Sequence, residues 1–202
     1  MSAAREAILQ SIAKGRTAAE PIPDYTLPVW TADVGTHFMT KAKESMAEIH
    51  GIATPEDAPE AILAILTRAK LPPRLHLPPY SPLNALPWHR APGLATVPEP
   101  PSGNDSAFSA ADYGIAETGT LVFFSGAQSA SSWHFRPERE FVLLPRLCIL
   151  PRFEDVIALL SAEGRMPATL NLVTGPSRTA DIEQTLELGA HGPRAVHILI
   201  AG

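Results

Sequence analysis

The chain has 202 residues, 45% of them hydrophobic and 18% charged, with a formal net charge of −5 and a pI near 5.8. That is enough apolar material for one full core; the acidic balance and scattered Lys and Arg residues disfavour nucleic acid, and no apolar run reaches bilayer-spanning length. A single cysteine, Cys148, excludes an internal disulfide framework and any iron–sulfur cluster held by this polypeptide's thiolates alone.

Residues 2–15 read as an opening helix with Ser2 as cap, Ile8, Leu9 and Ile12 on one side and Gly15 at the end. Its acidic and helix-forming residues differ from a signal core, which predicts a cytoplasmic protein. Pro21, Pro23 and Pro28 enforce an extended connector, so residues 1–32 form a helix and a proline-containing arm, and 33–202 the main domain. From Asp33 a second helix is predicted, with Phe38, Ala42, Met46 and Ile49 inward, followed by a short strand at 48–53. Thr54-Pro55-Glu56-Asp57 is a helix-start signal, continued by Ala58, Ile62, Ile65, Leu66 and Ala69 at helical spacing.

Prolines recur through an insertion at about 71–103 and preclude a continuous helix or central strand. A short edge strand near Leu75 and another strand at 94–97 are compatible with them. The segment is either an ordered surface wrap or a mobile lid. Strands are predicted again at 113–117, 120–125 and 147–150. A helix follows on Phe153, Val156, Ile157 and Leu160, closed by Gly164, and then strands at 170–173 and 195–201. Between those last two, Ser177 or Thr179 caps a predicted helix bearing Ile182, Leu186 and Gly189 on one face. The alternation implies an α/β fold with a mainly parallel sheet flanked by helices.

Two segments carry polar groups where chemistry needs them. In Thr174-Gly175-Pro176-Ser177-Arg178-Thr179 a strand ends in a turn whose amides, with Arg178, attract a carboxylate or phosphate. Asp181 and Glu183 in the same turn satisfy the helix dipole from within, so capping alone is the competing explanation. In Asp112–Thr120, Glu117 stands at a strand end as a candidate general base, nucleophile or hydrogen-bond acceptor, and Gly119 lets a ligand approach the backbone. The structural alternative is a tight hairpin with Glu117 paired to Arg178 or to an amide.

Other features carry less. The seven histidines form neither an HExxH helix nor a closely spaced set with carboxylates, so no metal site is expected. His50, His76 and His197 fall on strands as partly buried, hydrogen-bonded residues. Cys148, among Leu147, Ile149 and Leu150, reads as core with a raised pKa. Trp133-His134 reads as surface packing. Nucleophile-elbow, Walker and dinucleotide fingerprints are missing.

IAETGTL at 115–121, TGPSRTADIE at 174–183 and LGAHGPRAVHILI at 188–200 occur in one order, and together they resemble the LUD domain family, also called LutC/YkgG. The resemblance is strongest over residues 105–202. It implies a fold like ribose-5-phosphate isomerase, glucosamine-6-phosphate deaminase and the coenzyme A transferases (NagB/RpiA/CoA-transferase-like). It also implies a role in bacterial oxidation of L-lactate to pyruvate beside iron–sulfur partner proteins, which would hold the clusters while this chain binds no cofactor alone. Carried over by motif, the site positions are Glu117, Thr118, Gly119 and Thr120 from the first loop and Gly175, Ser177, Arg178, Thr179, Asp181 and Glu183 from the second, with His191 and Gly192. Glu117 is the catalytic candidate and the others are expected to bind a small carboxylate or phosphate metabolite. The alternative is an independent enzyme, acyl-CoA transferase-like or formyltetrahydrofolate cyclo-ligase-like, that uses Glu117. The chain departs from the family pattern after Ser125, where GAQSASSWHFRPEREF replaces a Gly-Pro-Gly turn, and near Cys148, where a histidine is missing.

Overall fold

A computed structural model describes residues 3–15, 26, 29–79, 82–126, 130–164, 166–180, 186–188 and 192–202. The chain divides into two compact units at Trp30 and Thr31. The first unit holds helix α1 (Ala3–Lys14), with Glu6 in its first turn and Lys14 in its last, each complementing the helix dipole.

The second unit opens with α2 (Val34–Glu44). The Asp33 carboxylate caps it by accepting from the Thr36 amide at 2.7 Å, and Phe38 and Ala42 are buried along it. The helix stops at Met46, whose φ of 67° turns the chain out; Met46 is therefore half exposed and not the inward residue its spacing predicts. Strand β1 (Glu48–Ile52) follows. A 3-10 turn at Pro55–Asp57, in which Asp57 accepts from the Thr54 amide at 3.0 Å, then leads into α3 (Ala58–Arg68). Ala58, Ile62, Ile65 and Leu66 form its buried side.

The proline-rich segment supplies β2 (Arg74–His76) and β3 (Ala95–Val97), three residues each between prolines. Leu75, Leu77, Leu83, Ala91 and Leu94 belong to the same buried cluster as Ile62 and Leu66. Arg90 fastens it from outside, at 3.1 Å from Asp57 and 2.6 Å from Glu60. The described residues of the segment are ordered and pack into the domain core.

Next come β4 (Ser106–Ala110), β5 (Tyr113–Ile115), β6 (Thr120–Phe124), the short α4 (Ser132–Phe135), β7 (Arg139–Pro145) and β8 (Ile149–Leu150). Helix α5 (Phe153–Ala162) buries Val156 and Leu160, and Gly164 closes it at φ 63°. Strands β9 (Leu170–Val173), β10 (Arg178–Ala180), β11 (Leu186–Leu188) and β12 (Ala195–Ala201) complete the chain. Among the described residues, no helix is long and apolar enough to cross a membrane.

Six strands form one wholly parallel sheet in the order β1-β12-β7-β4-β2-β3, flanked by helices. Strand β2 is thus internal, and β3 is the edge. A smaller sheet, β8-β5-β6-β9, has antiparallel pairs on both sides of β6. Alternation along β7 and β12 sends Phe141, Leu143, Leu199 and Ala201 to one face, in the core cluster with α3. On the other face, a Cβ on Gly114 would lie 2.9 Å from Leu144 and 3.0 Å from Phe38, so a side chain there would require one of them to shift.

Three further sequence expectations are overturned. The helix predicted from Ser177 or Thr179 is an antiparallel hairpin in its described parts, with Arg178 opposite Leu188 and Thr179 opposite Glu187. Thr179 and the Leu186-Glu187-Leu188 alternation fit a strand period as well as the helical one, and pairing decides between them. Cys148 is not core: it lies half-buried in a 3-10 turn beside the nearly fully exposed Leu147, and burial with nearby Asp112 raises its thiol pKa. Trp133 and His134 are buried, not surface packing.

Candidate functional site

The two motif-bearing turns meet. Strand β6 leaves the first turn and β9 enters the second, and their antiparallel pairing sets Leu121 opposite Val173. The flanking threonines are thereby brought side by side. Thr120 Oγ1 lies 2.7 Å from Thr118 Oγ1 and 2.7 Å from Thr174 Oγ1, a chain of three hydroxyls bridging the loops. Each hydroxyl donates once and accepts twice, so the chain retains capacity for a further partner. Thr120 is buried, whereas Thr118 and Thr174 reach the surface.

Both turns seat on the C-terminal end of α2. Gly119 has φ +68°, and a Cβ there would lie 2.3 Å from the Ala42 nitrogen; Gly175 has φ +73°, and its Cβ would lie 2.0 Å from the Ser45 carbonyl oxygen. The glycines therefore serve docking of backbone on backbone, and the space assigned from sequence to a ligand at Gly119 is filled by α2. Arg178 donates from Nη2 to the Ser45 carbonyl at 3.2 Å, satisfying a C-terminal helix carbonyl with a cation.

The remaining positions fall around this frame. The Ser177 amide donates to the Pro193 carbonyl at 2.8 Å, and Gly192 packs against the Ser177 side chain, so the third motif joins the second turn. Glu117 is exposed; its amide donates to the Pro151 carbonyl at 3.0 Å. The hairpin expected of it is present, with Ile115 opposite Thr120, but among the described residues no ion pair joins its carboxylate to Arg178. Thr179 is placed in β10 by its backbone. Asp181, Glu183 and His191 lie outside the described residues.

Sequence reasoning left out Thr174, although it opens the second motif, and it missed two polar clusters. In the first, His134 Nδ1 is 2.7 Å from Glu140 Oε1, and Ser109 donates to the same oxygen at 2.8 Å. All three are buried, His134 stacks on Phe123 at 4.0 Å, and among the described residues Glu140 Oε2 has no hydrogen-bond partner. In the second, Glu48, His50 and His197 converge from β1 and β12. Burial pushes the His197 imidazole down to about 4 against the opposing pull of Glu48, and burial also lowers His50. No local motif announces either cluster, because strand register assembles them.

The fold and these turns define an α/β protein built on a six-stranded parallel sheet, with a threonine-bridged pair of loops on a helix end. The LUD domain family matches residues 102–201. The chain is 34% identical over 119 residues to lactate utilization protein C of Geobacillus kaustophilus (strain HTA426), covering 56% of this chain and 49% of that protein. It is 35% identical over 122 residues to the uncharacterized protein YkgG of Escherichia coli (strain K12), covering 58% and 52%. A crystal structure of a DUF162 family protein from Deinococcus radiodurans superposes with a TM-score of 0.62 at 19% identity, covering 87% of this chain and all of that one, a likeness of fold. On these matches residues 102–201 form a LUD domain, and the chain is similar to the LutC/YkgG proteins. It spans about half the length of the curated relatives it matches.

Proposed function

We propose that this chain is a cluster-free accessory component of an L-lactate utilisation system, acting beside iron–sulfur partner proteins in the oxidation of lactate to pyruvate. Relatives named lactate utilization protein C support the pathway. The division of labour is supported by composition: these 202 residues offer one thiol, and a cluster ligated by cysteine alone takes four.

The observation that carries a binding role is the hydroxyl chain Thr118–Thr120–Thr174, which ties the family's two motif turns together with Glu117 and Arg178 exposed beside it. A small 2-hydroxy or 2-oxo acid suits that combination. Arg178 has five N–H donors, so donation to Ser45 leaves others for a carboxylate, while Glu117 accepts from the hydroxyl end.

The test is deletion of the gene and growth on L-lactate or pyruvate as sole carbon source. Growth on lactate is expected to fail and growth on pyruvate to persist, with rescue by the native gene and weaker rescue by Thr174→Val. A deletion strain that oxidises lactate at the native rate would remove the accessory role.

A further inference from the structure

We propose that Glu48, His50 and His197 form a binding site for one divalent transition-metal ion of the zinc class. Strands β1 and β12 run parallel with Glu48 opposite His197, and the period of two places His50 on the same face as Glu48. The Nδ1 of His197 lies 3.3 Å from His50 Nε2 and 3.4 Å from Glu48 Oε2. One ligand atom from each residue lies within 4.8 Å of the others.

Those separations are what a tetrahedral ion requires. Two ligand atoms on bonds of about 2.0–2.1 Å stand about 3.3–3.4 Å apart, which both His197 contacts match. Glu48, with its side chain 57% exposed, has the rotamer freedom to close the third edge.

Protons serve the cluster poorly. The Nδ1 of His197 carries either an N–H or a lone pair, so it cannot donate to Glu48 and accept from His50 at once. A cation facing all three atoms satisfies them together, and imidazole with carboxylate is a zinc-class ligand set. The site is also held on one side and open on the other. His197 is buried and stacked on Phe141 at 4.7 Å with 14° between the rings, which fixes its ring, while exposed Glu48 leaves a fourth position for water or an anion. Arg68 and Arg139 act on the cluster as positive neighbours and oppose the ion, lowering affinity without removing a ligand.

The experiment is calorimetric titration of tag-free protein with zinc chloride, with cobalt(II) as the spectroscopic probe. One equivalent of zinc is expected, and a cobalt adduct with the intense visible bands of four-coordination. Because His50 is half-buried and Glu48 exposed, His50→Gln and Glu48→Gln should keep the native circular dichroism. Each should weaken zinc binding by about tenfold or more, at least what loss of an outer-shell partner costs. His89→Gln, exposed and outside the cluster, should bind as the native chain does. Absence of saturable binding, or binding that survives both substitutions in the cluster, would overturn the site.

Discussion

Gly119 shows how a residue that looks functional in sequence can be fixed by packing. Its φ of +68° and the 2.3 Å from a built Cβ to the Ala42 nitrogen are independent penalties on any side chain. A left-handed conformation costs a non-glycine residue about 1–2 kcal/mol, and overpacking adds about 1–3 kcal/mol because the obstacle is backbone and cannot rotate away. Gly119→Ala should therefore destabilise the protein by about 2–5 kcal/mol in urea denaturation. Gly126→Ala, where nothing among the described residues lies within 4 Å, should stay within about 0.5 kcal/mol. Equal stability of the two variants would mean that the turn does not depend on its contact with α2. Gly175, closing on the Ser45 carbonyl, should behave as Gly119 does, which makes the end of α2 a common seat for both motif turns.

At the scale of elements, the proline-rich segment gives the sharpest test. Leu83 is 3% exposed and packs in the cluster of α3 and the parallel sheet. If the segment is part of the core, Leu83→Ala leaves a cavity and costs about 2–5 kcal/mol by chemical denaturation; a detachable flap would show little change. Sequence left wrap and lid open because proline reports local backbone limits and not what a leucine between prolines touches. Elsewhere, periodicity was sufficient where each element carried its own signal: α3 and α5 by apolar spacing and start signals, β12 by a continuous apolar run. Strands β4 and β7 were illegible. SAFSA has little apolar mass, and Arg139-Glu140 at the head of β7 disguises a strand that lies between β12 and β4. The site divided in the same way. Glu117 to Thr120 and Gly175 to Arg178 were readable as motifs, but the Thr120–Thr174 bridge and the Glu48–His50–His197 cluster depend on strand pairing, which no local pattern specifies.

Across the whole molecule, one buried polar knot links layers that apolar packing alone would leave free to slide. Glu140 on β7 receives hydrogen bonds involving Ser109 on β4 and His134 on α4, and His134 stacks on Phe123 of the smaller sheet. The large sheet, a helix and the second sheet thus share one carboxyl group that is fully buried. Glu140→Ala removes the buried acceptor shared by Ser109 and His134, which should cost about 3–5 kcal/mol. Replacing all three polar groups with apolar ones, as Glu140→Leu, His134→Phe and Ser109→Ala together, removes the stranded groups and should recover most of that loss. Denaturation of the single and triple variants, set beside growth on lactate of strains carrying each, separates two uses of the knot. A triple variant that is stable and still supports growth makes it a device for registering the layers. A stable variant that fails to support growth places His134 or Glu140 in the activity itself, and a Glu140→Ala protein as stable as the native chain would show that the knot joins nothing.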